Sequence, residues 1–144
     1  MNLIERMQKI VVCGAHMTGL ALNHELVDRG AIWVQSTRTL PEYRLFALAG
    51  GPPQRPGLLR VAQQGVAIEV EVWQLPLHAW GDFVTGIPAP LGIGTIRLEQ
   101  GDWIQGFLCE WIATQDAQDI SEYGGWRAWL NAKTNPAATH SVYD

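Results

Sequence analysis

The feature that most constrains the fold is a short apolar run that ends abruptly at a glycine. Residues 10–13 read Ile-Val-Val-Cys, which is typical of a buried strand, and Gly14 then marks a sharp turn. His16 stands at the mouth of that turn. Apolar residues at helical spacing follow between positions 20 and 27 and end at Gly30, which predicts a short helix. A strand, a loop and a helix in this order leave unpaired backbone N–H groups, so a small carboxylate is the first ligand class to consider.

Length, charge and cysteine content narrow the class of protein. A chain of 144 residues, 47% of them apolar, is enough for one domain with a proper core. The formal net charge of −4, with scattered lysines and arginines, argues against nucleic acid as a partner. Cys13 and Cys109 each lie in an apolar run without metal-ligand neighbours. We therefore expect reduced thiols, no disulfide, and no metal or other cofactor.

The chain is also expected to be a cytoplasmic protein without membrane association. Its first residues are charged, and no stretch approaches the roughly 20 apolar residues that a membrane span needs. We predict an N-terminal extension over residues 1–9, one domain over residues 10–132 and a flexible tail over residues 133–144.

Several further segments have the alternation or composition of strands. They cover residues 31–38, 43–48, 58–62 and 66–73, followed by a hairpin with arms 95–99 and 103–112 in which Gly106 forms a bulge. Short helices are predicted over residues 77–86 and from about Gly125. Because strands dominate and few helices intervene, we predict an α+β fold around a curved or closed mixed sheet, a small mixed β-barrel.

Two segments are singled out by their polarity. In the strand predicted over residues 66–73, alternation places Glu69, Glu71 and Trp73 on the same face. Residues 87–94 contain too much proline and glycine for a regular element, yet they carry no charge. Such an apolar loop is expected to pack against another part of the protein or to line a pocket.

The predicted segments also carry a combination of short motifs that is specific as a set. The motifs are Gly14-Ala15-His16-Met17 with Asn23 downstream, Arg38-Thr39 with Pro41 and Tyr43-Arg44-Leu45, Ile68-Glu69-Val70-Glu71-Val72-Trp73, Ile87-Pro88-Ala89-Pro90-Leu91-Gly92-Ile93-Gly94, Gly106-Phe107-Leu108-Cys109-Glu110 and Tyr123-Gly124-Gly125-Trp126-Arg127. This combination resembles the C-terminal domain of allophanate hydrolases. The resemblance runs from about Ile10 to Leu130 and covers nearly the whole chain.

The resemblance implies a γ-glutamylcyclotransferase-like fold and a place in urea and allophanate nitrogen metabolism. Allophanate hydrolases deaminate allophanate in an amidase domain. Their C-terminal domain is held to decarboxylate the product, N-carboxycarbamate, on the way to ammonia and carbon dioxide. The Ser-Ser-Lys machinery of the amidase has no counterpart in this sequence, so the resemblance implies a free-standing domain that acts beside a separate amidase.

Acyl transfer of the γ-glutamylcyclotransferase type is a less favoured alternative. That branch carries a tyrosine where this chain has Cys13, and a glutamate base where this chain has residues 87–90. Cyclisation of a γ-glutamyl amine would therefore need a base at another position.

The resemblance also implies roles for individual residues. His16 would be the general acid that protonates the nitrogen as the C–N bond breaks, because imidazole exchanges protons near neutral pH. Glu71 is the second catalytic candidate. Substrate contacts are expected from the turn, the strands and the apolar loop, at Gly14, Ala15, Met17, Asn23, Tyr43, Arg44, Pro90, Leu91, Gly92 and Glu110.

Each polar candidate also has a purely structural interpretation. In that interpretation His16 hydrogen-bonds a neighbouring carbonyl, and Glu71 belongs to the solvated face of its strand. Arg44 is then an exposed strand residue, although its planar guanidinium suits a two-pronged bond to a carboxylate. Glu110 either faces solvent or lies inward with a partner such as Arg44.

A second class of function is binding without turnover. In this interpretation the chain is an assembly subunit for a separate amidase, and a homo-oligomer is a further expectation. An exposed apolar patch over residues 87–94 would favour assembly. A closed pocket with His16 at its base would favour an enzyme that acts on a small carboxylate.

Overall fold

The computed structural model describes residues 6–134 as a mixture of strands and short helices. Its strands and α-helices are β1 (Met7–Val12), α1 (Asn23–Val27), β2 (Ile32–Arg38), β3 (Tyr43–Ala47), β4 (Pro56–Arg60), β5 (Glu69–Pro76), α2 (Trp80–Thr85), β6 (Leu91–Arg97), β7 (Trp103–Cys109), β8 (Gln118–Asp119) and α3 (Trp126–Thr134). Short 3-10 turns cover Leu77–Ala79, Trp111–Thr114 and Ser121–Tyr123. The predicted α+β class is confirmed. In the described part of the chain, no helix is long and apolar enough to cross a membrane.

The strands form two open sheets. One has five strands in the order β2-β5-β1-β7-β6, and the other has three in the order β4-β3-β8. In the larger sheet β1 is central, antiparallel to β5 and parallel to β7. The predicted barrel is wrong, because the outer strands β2 and β6 meet only at one corner. There a single bridge joins Thr39 to Leu98, and the amide of Thr39 bonds the carbonyl of Ile68 beside β5.

The central position of β1 explains its apolar sequence. Ile10, Val11 and Val12 are buried almost completely, as expected for a strand with neighbours on both sides. Residues 7–9 of this strand lie within the predicted N-terminal extension, whereas residues 1–5 of that extension lie outside the described residues. Of the predicted tail, Lys133 and Thr134 belong to α3. Its remaining positions, 135–144, are also outside the described residues.

Gly106 does not form the predicted bulge. The ladder between β6 and β7 runs without a register shift from Leu91 opposite Cys109 to Arg97 opposite Trp103. A Cβ atom on Gly106 would lie 2.6 Å from the carbonyl oxygen of Val11. Glycine is needed here because β1 and β7 approach each other closely, and no side chain fits between them.

The start of β6 was not predicted from the sequence, because the proline and glycine in residues 87–94 indicated an irregular segment. The prediction of an irregular segment over residues 87–94 is wrong for its second half, because Leu91–Gly94 pair with β7. β6 is an edge strand, and Pro90 lies just before it, where no ladder hydrogen bond is lost. Glu110 also differs from its predicted place in the hairpin arm. It follows β7, begins a 3-10 turn and is exposed.

The remaining elements lie close to their predicted positions. β2, β3, β4 and α2 overlap the predicted segments, and β5 begins three residues later than position 66. α1 is only five residues long. Successive turns occupy much of the loop before it, with the amide of Met17 bonding the Gly14 carbonyl and that of Leu20 bonding the Met17 carbonyl. α3 begins at Trp126, whose ring packs against Trp129 at a centroid distance of 4.9 Å.

A buried carboxylate fastens the turn after β1 to the rest of the protein. Glu71, on β5, is 4% exposed. Its Oε1 accepts hydrogen bonds from the Thr18 amide at 2.9 Å, the Thr18 hydroxyl at 3.0 Å and the Trp73 indole at 3.1 Å. Its Oε2 accepts a bond of 2.8 Å from Arg127 of α3, which also donates to the Thr18 carbonyl at 2.7 Å. Glu71 therefore joins a strand, the turn and the last helix, and it does not lie on a solvated face.

The protonation state of Glu71 follows from these bonds. Burial by itself would raise its pKa, but the hydrogen bonds from Thr18, Trp73 and Arg127 stabilise the charged form and leave the pKa below its usual value near 4.5. The carboxylate is ionised at neutral pH. All four donors are already committed to it, so Glu71 is suited to hold the turn in place.

Replacing Gly106 with alanine tests the close approach of β1 and β7. We expect Gly106→Ala to lower the free energy of unfolding by about 1–3 kcal/mol, because the added methyl must displace packed backbone. The matched control is Gly92→Ala in β6, where a Cβ would meet no atom within 4 Å. Urea denaturation followed by tryptophan fluorescence measures both variants. Equal stability of the two would contradict the packing assignment.

Replacing Glu71 with glutamine tests its anchoring role. We expect Glu71→Gln to cost about 2 kcal/mol at neutral pH, since bonds to a charged group are lost or weakened. Because the folded pKa is lowered, the contribution is present above pH about 4.5 and is lost as pH falls through the lowered pKa. The difference between wild type and variant should therefore shrink in acid.

The control for this experiment is Glu69→Gln in the same strand. The Glu69 carboxylate has no hydrogen-bond donor among residues 6–134, so we expect little change in stability. Urea unfolding at several pH values between about 3 and 7 would make the comparison. A Glu71→Gln penalty that stays constant down to the acid end would show that its ionised form is not what stabilises the turn.

Candidate functional site

The end of β1 and the turn after it line a small cleft that opens to solvent and has a cavity volume of about 20 Å³. Residues 12–16 form one side of this cleft. Pro56 and Leu91, which begin β4 and β6, and Phe107 of β7 contribute apolar walls. The turn predicted to accept a ligand therefore does border a cavity.

His16 lies in this cleft and is almost completely buried. The residue is 5% exposed. Its imidazole ring contacts the rings of Phe83 and Phe107 at centroid distances of 5.3 and 5.0 Å. Its Nε2 lies 2.7 Å from a carboxylate oxygen of Glu25. The imidazole is thus bonded to a carboxylate, whereas the structural interpretation had expected a carbonyl.

The residues around His16 disfavour the charged form of its imidazole. Burial lowers the pKa of the imidazole from its usual value of 6.5. The hydrogen bond and negative charge of Glu25 act in the opposite direction, while the positive charge of Arg55 lowers the pKa further. The net direction is downward, so the ring is held mostly neutral near pH 7.

Glu25 was not identified from the sequence. It lies on α1, nine positions after His16. Because a loop separates the two residues, their spacing in the sequence does not predict that they are in contact. The available signal was its place beside the buried Leu26 on the short helix, which turns Glu25 toward the loop. Asn23, on the same helix, donates a hydrogen bond of 2.8 Å to the carbonyl of His16 and braces the turn from behind.

Arg55 is the second functional candidate that the sequence did not reveal. It lines the His16 cleft and also a second cavity of about 310 Å³, which is bordered by residues 48–53 and 88–91. Arg55 lies in the loop between β3 and β4, and the residue after it, Pro56, packs on the turn. A Cβ atom on Gly14 would lie 2.4 Å from that proline ring, so glycine is required for the contact that brings Arg55 beside His16.

The structure brings together only some of the residues predicted to contact a substrate. Gly14, Ala15 and Leu91 line the His16 cleft, and Pro90 and Leu91 line the second cavity. Gly92 and Glu110 line a third, open groove of about 200 Å³ along β6. Met17 is fully buried beneath the turn.

Tyr43 and Arg44 lie away from the cleft. The Tyr43 hydroxyl accepts a hydrogen bond of 3.0 Å from the amide of Arg97 in the core. The Arg44 guanidinium bonds Asp119 at 2.7 Å, so its partner is an aspartate of β8 and not Glu110. The expectation that Arg44 faces a substrate is not met, because alternation along β3 directs it away from the buried face that carries Tyr43 and Leu45.

The two thiols near the site are neutral. Burial, together with the neighbouring Cys109, raises the pKa of Cys13 to about 12. Burial raises the pKa of Cys109 to about 11. Both are free cysteines, and neither is a nucleophile near pH 7. Among residues 6–134, no three side chains of the His, Cys, Asp and Glu types are grouped as a metal site would need.

The chemistry available in the cleft is therefore limited and specific. An imidazole held by Glu25 can donate or accept a proton, and the Arg55 guanidinium can attract a negative charge. The cleft lining includes no carboxylate. Such a site suits a small anion that exchanges a proton with His16.

In the segment 87–94, which was expected to favour assembly if exposed, Pro88, Ala89 and Gly92 are exposed, but none of its large apolar side chains is. The large apolar side chains exposed in the described part of the chain lie elsewhere, at Val27, Ile32, Trp33, Leu77, Val84, Trp103, Trp111 and Ile112.

Comparison with known proteins identifies relatives across nearly the whole chain. Residues 8–131 match the family model for the allophanate hydrolase C-terminal domain. The urea amidolyase of Saccharomyces cerevisiae is 42% identical over 126 residues, which are 85% of this chain and 7% of the yeast protein. The chain thus spans only a small part of the curated relatives it matches.

Solved structures give the same relationship. Allophanate hydrolase of Kluyveromyces lactis superposes with a TM-score of 0.84 at 38% identity, over 88% of this chain and 21% of that one. A uropathogenic E. coli-specific protein gives a TM-score of 0.81 at 35% identity, over 88% of this chain and 97% of that one. A γ-glutamyl cyclotransferase, at 11% identity and a TM-score of 0.56, shares the fold alone. The chain therefore belongs to the allophanate hydrolase C-terminal domain family and has a γ-glutamylcyclotransferase-like fold.

Proposed function

We propose that this domain decarboxylates N-carboxycarbamate, the product of allophanate deamination, in urea and allophanate nitrogen metabolism. The observation that carries the proposal is the buried imidazole of His16, bonded to Glu25 at 2.7 Å, beside a cleft whose lining includes no carboxylate. Family membership supports the metabolic setting, since relatives are a urea amidolyase and an allophanate hydrolase.

The first decarboxylation breaks one C–N bond and needs one proton. N-carboxycarbamate carries two carboxylates on a single nitrogen. When one C–N bond breaks, its electron pair stays on the nitrogen and one carboxylate leaves as carbon dioxide. A proton from the His16 imidazolium then joins the nitrogen, which yields carbamate. Loss of a second carbon dioxide and gain of a second proton convert carbamate to ammonia.

Substrate binding is expected to supply the charged form of His16. The empty cleft favours the neutral ring, because burial and Arg55 lower its pKa. A dianion beside the ring has the opposite effect, since a nearby negative charge stabilises the imidazolium. The substrate thus enters with a proton taken up from solvent. Glu25 is about one-third exposed, so it offers a route by which the ring is recharged after each turnover.

The apolar walls of the cleft favour the loss of charge. A carboxylate that becomes carbon dioxide gives up its negative charge, so an apolar contact favours the transition state over the ionised ground state. Phe107 and Leu91 provide such contacts beside His16. Glu71 and Asn23 are positioning residues in this proposal, because they hold the turn that carries His16.

The alternative of cyclotransfer has less support. That chemistry needs a carboxylate base, and the linings of the His16 cleft and of the neighbouring 310 Å³ cavity include none. The assembly alternative draws support from one observation. Trp111 and Ile112 are 65% and 69% exposed on a 3-10 turn, and this apolar pair is available to a separate amidase.

The proposal is tested by carbon dioxide release from allophanate in the presence of a separate amidase. Added wild-type protein should accelerate release after the amidase step, and His16→Asn should lower that acceleration by about 10²–10⁴-fold, the usual contribution of a general acid. The ammonia formed directly by the amidase should not change. The matched control is His78→Asn, since His78 is exposed and lies outside the cleft.

Two results would contradict the proposal in different ways. Equal acceleration by wild type and His16→Asn would remove the imidazole from the mechanism. No acceleration by wild-type protein at any concentration would exclude decarboxylase activity. Sedimentation of the chain together with the amidase in that second case would favour the assembly function.

A further inference from the structure

We infer that Arg55 binds the carboxylate that remains on the nitrogen, which makes the domain selective for small dianions with two carboxylates on one central atom. The inference rests on the proposed function for its chemistry. It rests on the geometry of the loop between β3 and β4 for its location. A substrate with a single carboxylate could bind Arg55 or place that carboxylate against the apolar walls of the cleft, where carbon dioxide would leave, but it could not do both.

The guanidinium of Arg55 is available to a ligand. It is half-buried, and it has neither an ion pair nor a hydrogen-bond partner among residues 6–134. Four other arginines are engaged in ion pairs: Arg29 with Asp82, Arg44 with Asp119, Arg60 with Glu42 and Arg127 with Glu71. Arg97 has no ion pair but lies over the Trp103 ring, and of these arginines only Arg55 borders the His16 cleft. A half-buried cation without a partner is costly to maintain, and a carboxylate ligand would satisfy it.

The backbone on both sides of Arg55 is held in place. The carbonyl of Arg55 accepts a hydrogen bond of 3.1 Å from the Leu48 amide, and the Gln54 side chain donates to the Leu48 carbonyl at 3.0 Å. The next residue, Pro56, is buried against the Gly14 turn. The guanidinium is therefore presented from a fixed loop, which reduces the entropy that a ligand must overcome.

The electrostatics of the surrounding cavities favour an anion. Arg55 lines both the His16 cleft and the adjoining 310 Å³ cavity, and neither lining contains a carboxylate. The positive charge of Arg55 also disfavours the imidazolium form of His16, which lowers the pKa of that ring. A bound dianion would neutralise both groups at once, so binding to Arg55 and protonation of His16 reinforce each other.

Reaction chemistry decides which carboxylate Arg55 holds. The carboxylate that leaves loses its charge, so a strong bond between it and a guanidinium would stabilise the substrate more than the transition state and would slow the reaction. The retained carboxylate keeps its charge throughout, and Arg55 can bind it without this penalty. The leaving carboxylate is then directed to the apolar walls, where Phe107 and Leu91 lie.

Malonate is a stable probe for this site, because a methylene replaces the reactive nitrogen between two carboxylates. Calorimetry on the full chain would measure its dissociation constant for wild type, Arg55→Gln and Arg60→Gln. We expect Arg55→Gln to weaken malonate binding at least tenfold, in line with a charge-assisted pair. Arg60→Gln removes the same charge outside the cleft and should change binding less than about twofold. Acetate should bind wild type more weakly than malonate does.

Two further measurements keep the inference separate from folding and from turnover. The urea midpoint of Arg55→Gln should be at least as high as that of wild type, because the variant removes a half-buried charge that has no partner within residues 6–134. In the carbon dioxide assay, Arg55→Gln should raise KM more than it lowers kcat. Arg55→Lys should recover part of the malonate affinity, since an ammonium supplies the charge but not the two-pronged geometry.

The outcomes distinguish this inference from the proposed function. Equal malonate affinity of wild type and Arg55→Gln, or no malonate binding by wild type, would overturn the role of Arg55 even if decarboxylation is observed. Arg55-dependent malonate binding without carbon dioxide release would overturn the decarboxylase proposal and would retain Arg55 as a dicarboxylate site.

Discussion

The arrangement of the site depends on one buried carboxylate. Glu71 accepts four hydrogen bonds from three residues, and those residues belong to the turn after β1, to β5 and to α3. A buried carboxylate needs such partners, and although burial alone would raise the pKa of Glu71, these hydrogen bonds leave it lowered. Because the Thr18 amide and hydroxyl both bond Glu71, the turn has a fixed distance from the sheet. His16 lies two residues before Thr18, so its place in the cleft follows from the same anchor.

Close backbone contacts complete the geometry that this anchor begins. Gly106 allows β7 to approach β1, and Gly14 allows the Pro56 ring to pack on the turn. The contact at Gly106 fixes the position of β1, from which the turn begins. The contact at Gly14 brings the loop that carries Arg55 close to His16. Neither glycine has a positive φ. Both are required because another chain segment occupies the place of a side chain. The cleft is thus formed by backbone packing, and its chemical groups project from segments held at both ends.

Sequence patterns identified the elements whose environment is local. The apolar run of β1, the alternation of β3 and the helix beginning at Trp126 were each evident, because burial on one or both faces is recorded in the spacing of apolar residues. Patterns failed where tertiary contacts decide the outcome. Alternation along β5 allowed Glu71 to be solvated, but the turn and α3 cover that side of the strand. The start of β6 was not predicted because of its glycine and the proline before it, which an edge strand tolerates and a central strand excludes.

The site was predicted in its framework but not in all its groups. The turn, His16 and the bracing Asn23 could be read from the residues and the family resemblance. Glu25 and Arg55 could not, because each reaches the cleft from a segment whose distance from His16 is set only by folding. The motif indicated Arg44 as the carboxylate-binding arginine, yet Arg44 is engaged with Asp119 across the smaller sheet.

The central claim is that a buried imidazole and an anion share one cleft, and it is tested most directly by the titration of His16. Nuclear magnetic resonance of the labelled histidine rings, assigned with the His16→Asn variant, measures its pKa with and without saturating malonate. The account predicts a pKa below 6.5 in the free protein and a clear rise on malonate binding. A His16 that titrates at the usual value and does not respond to malonate would contradict it.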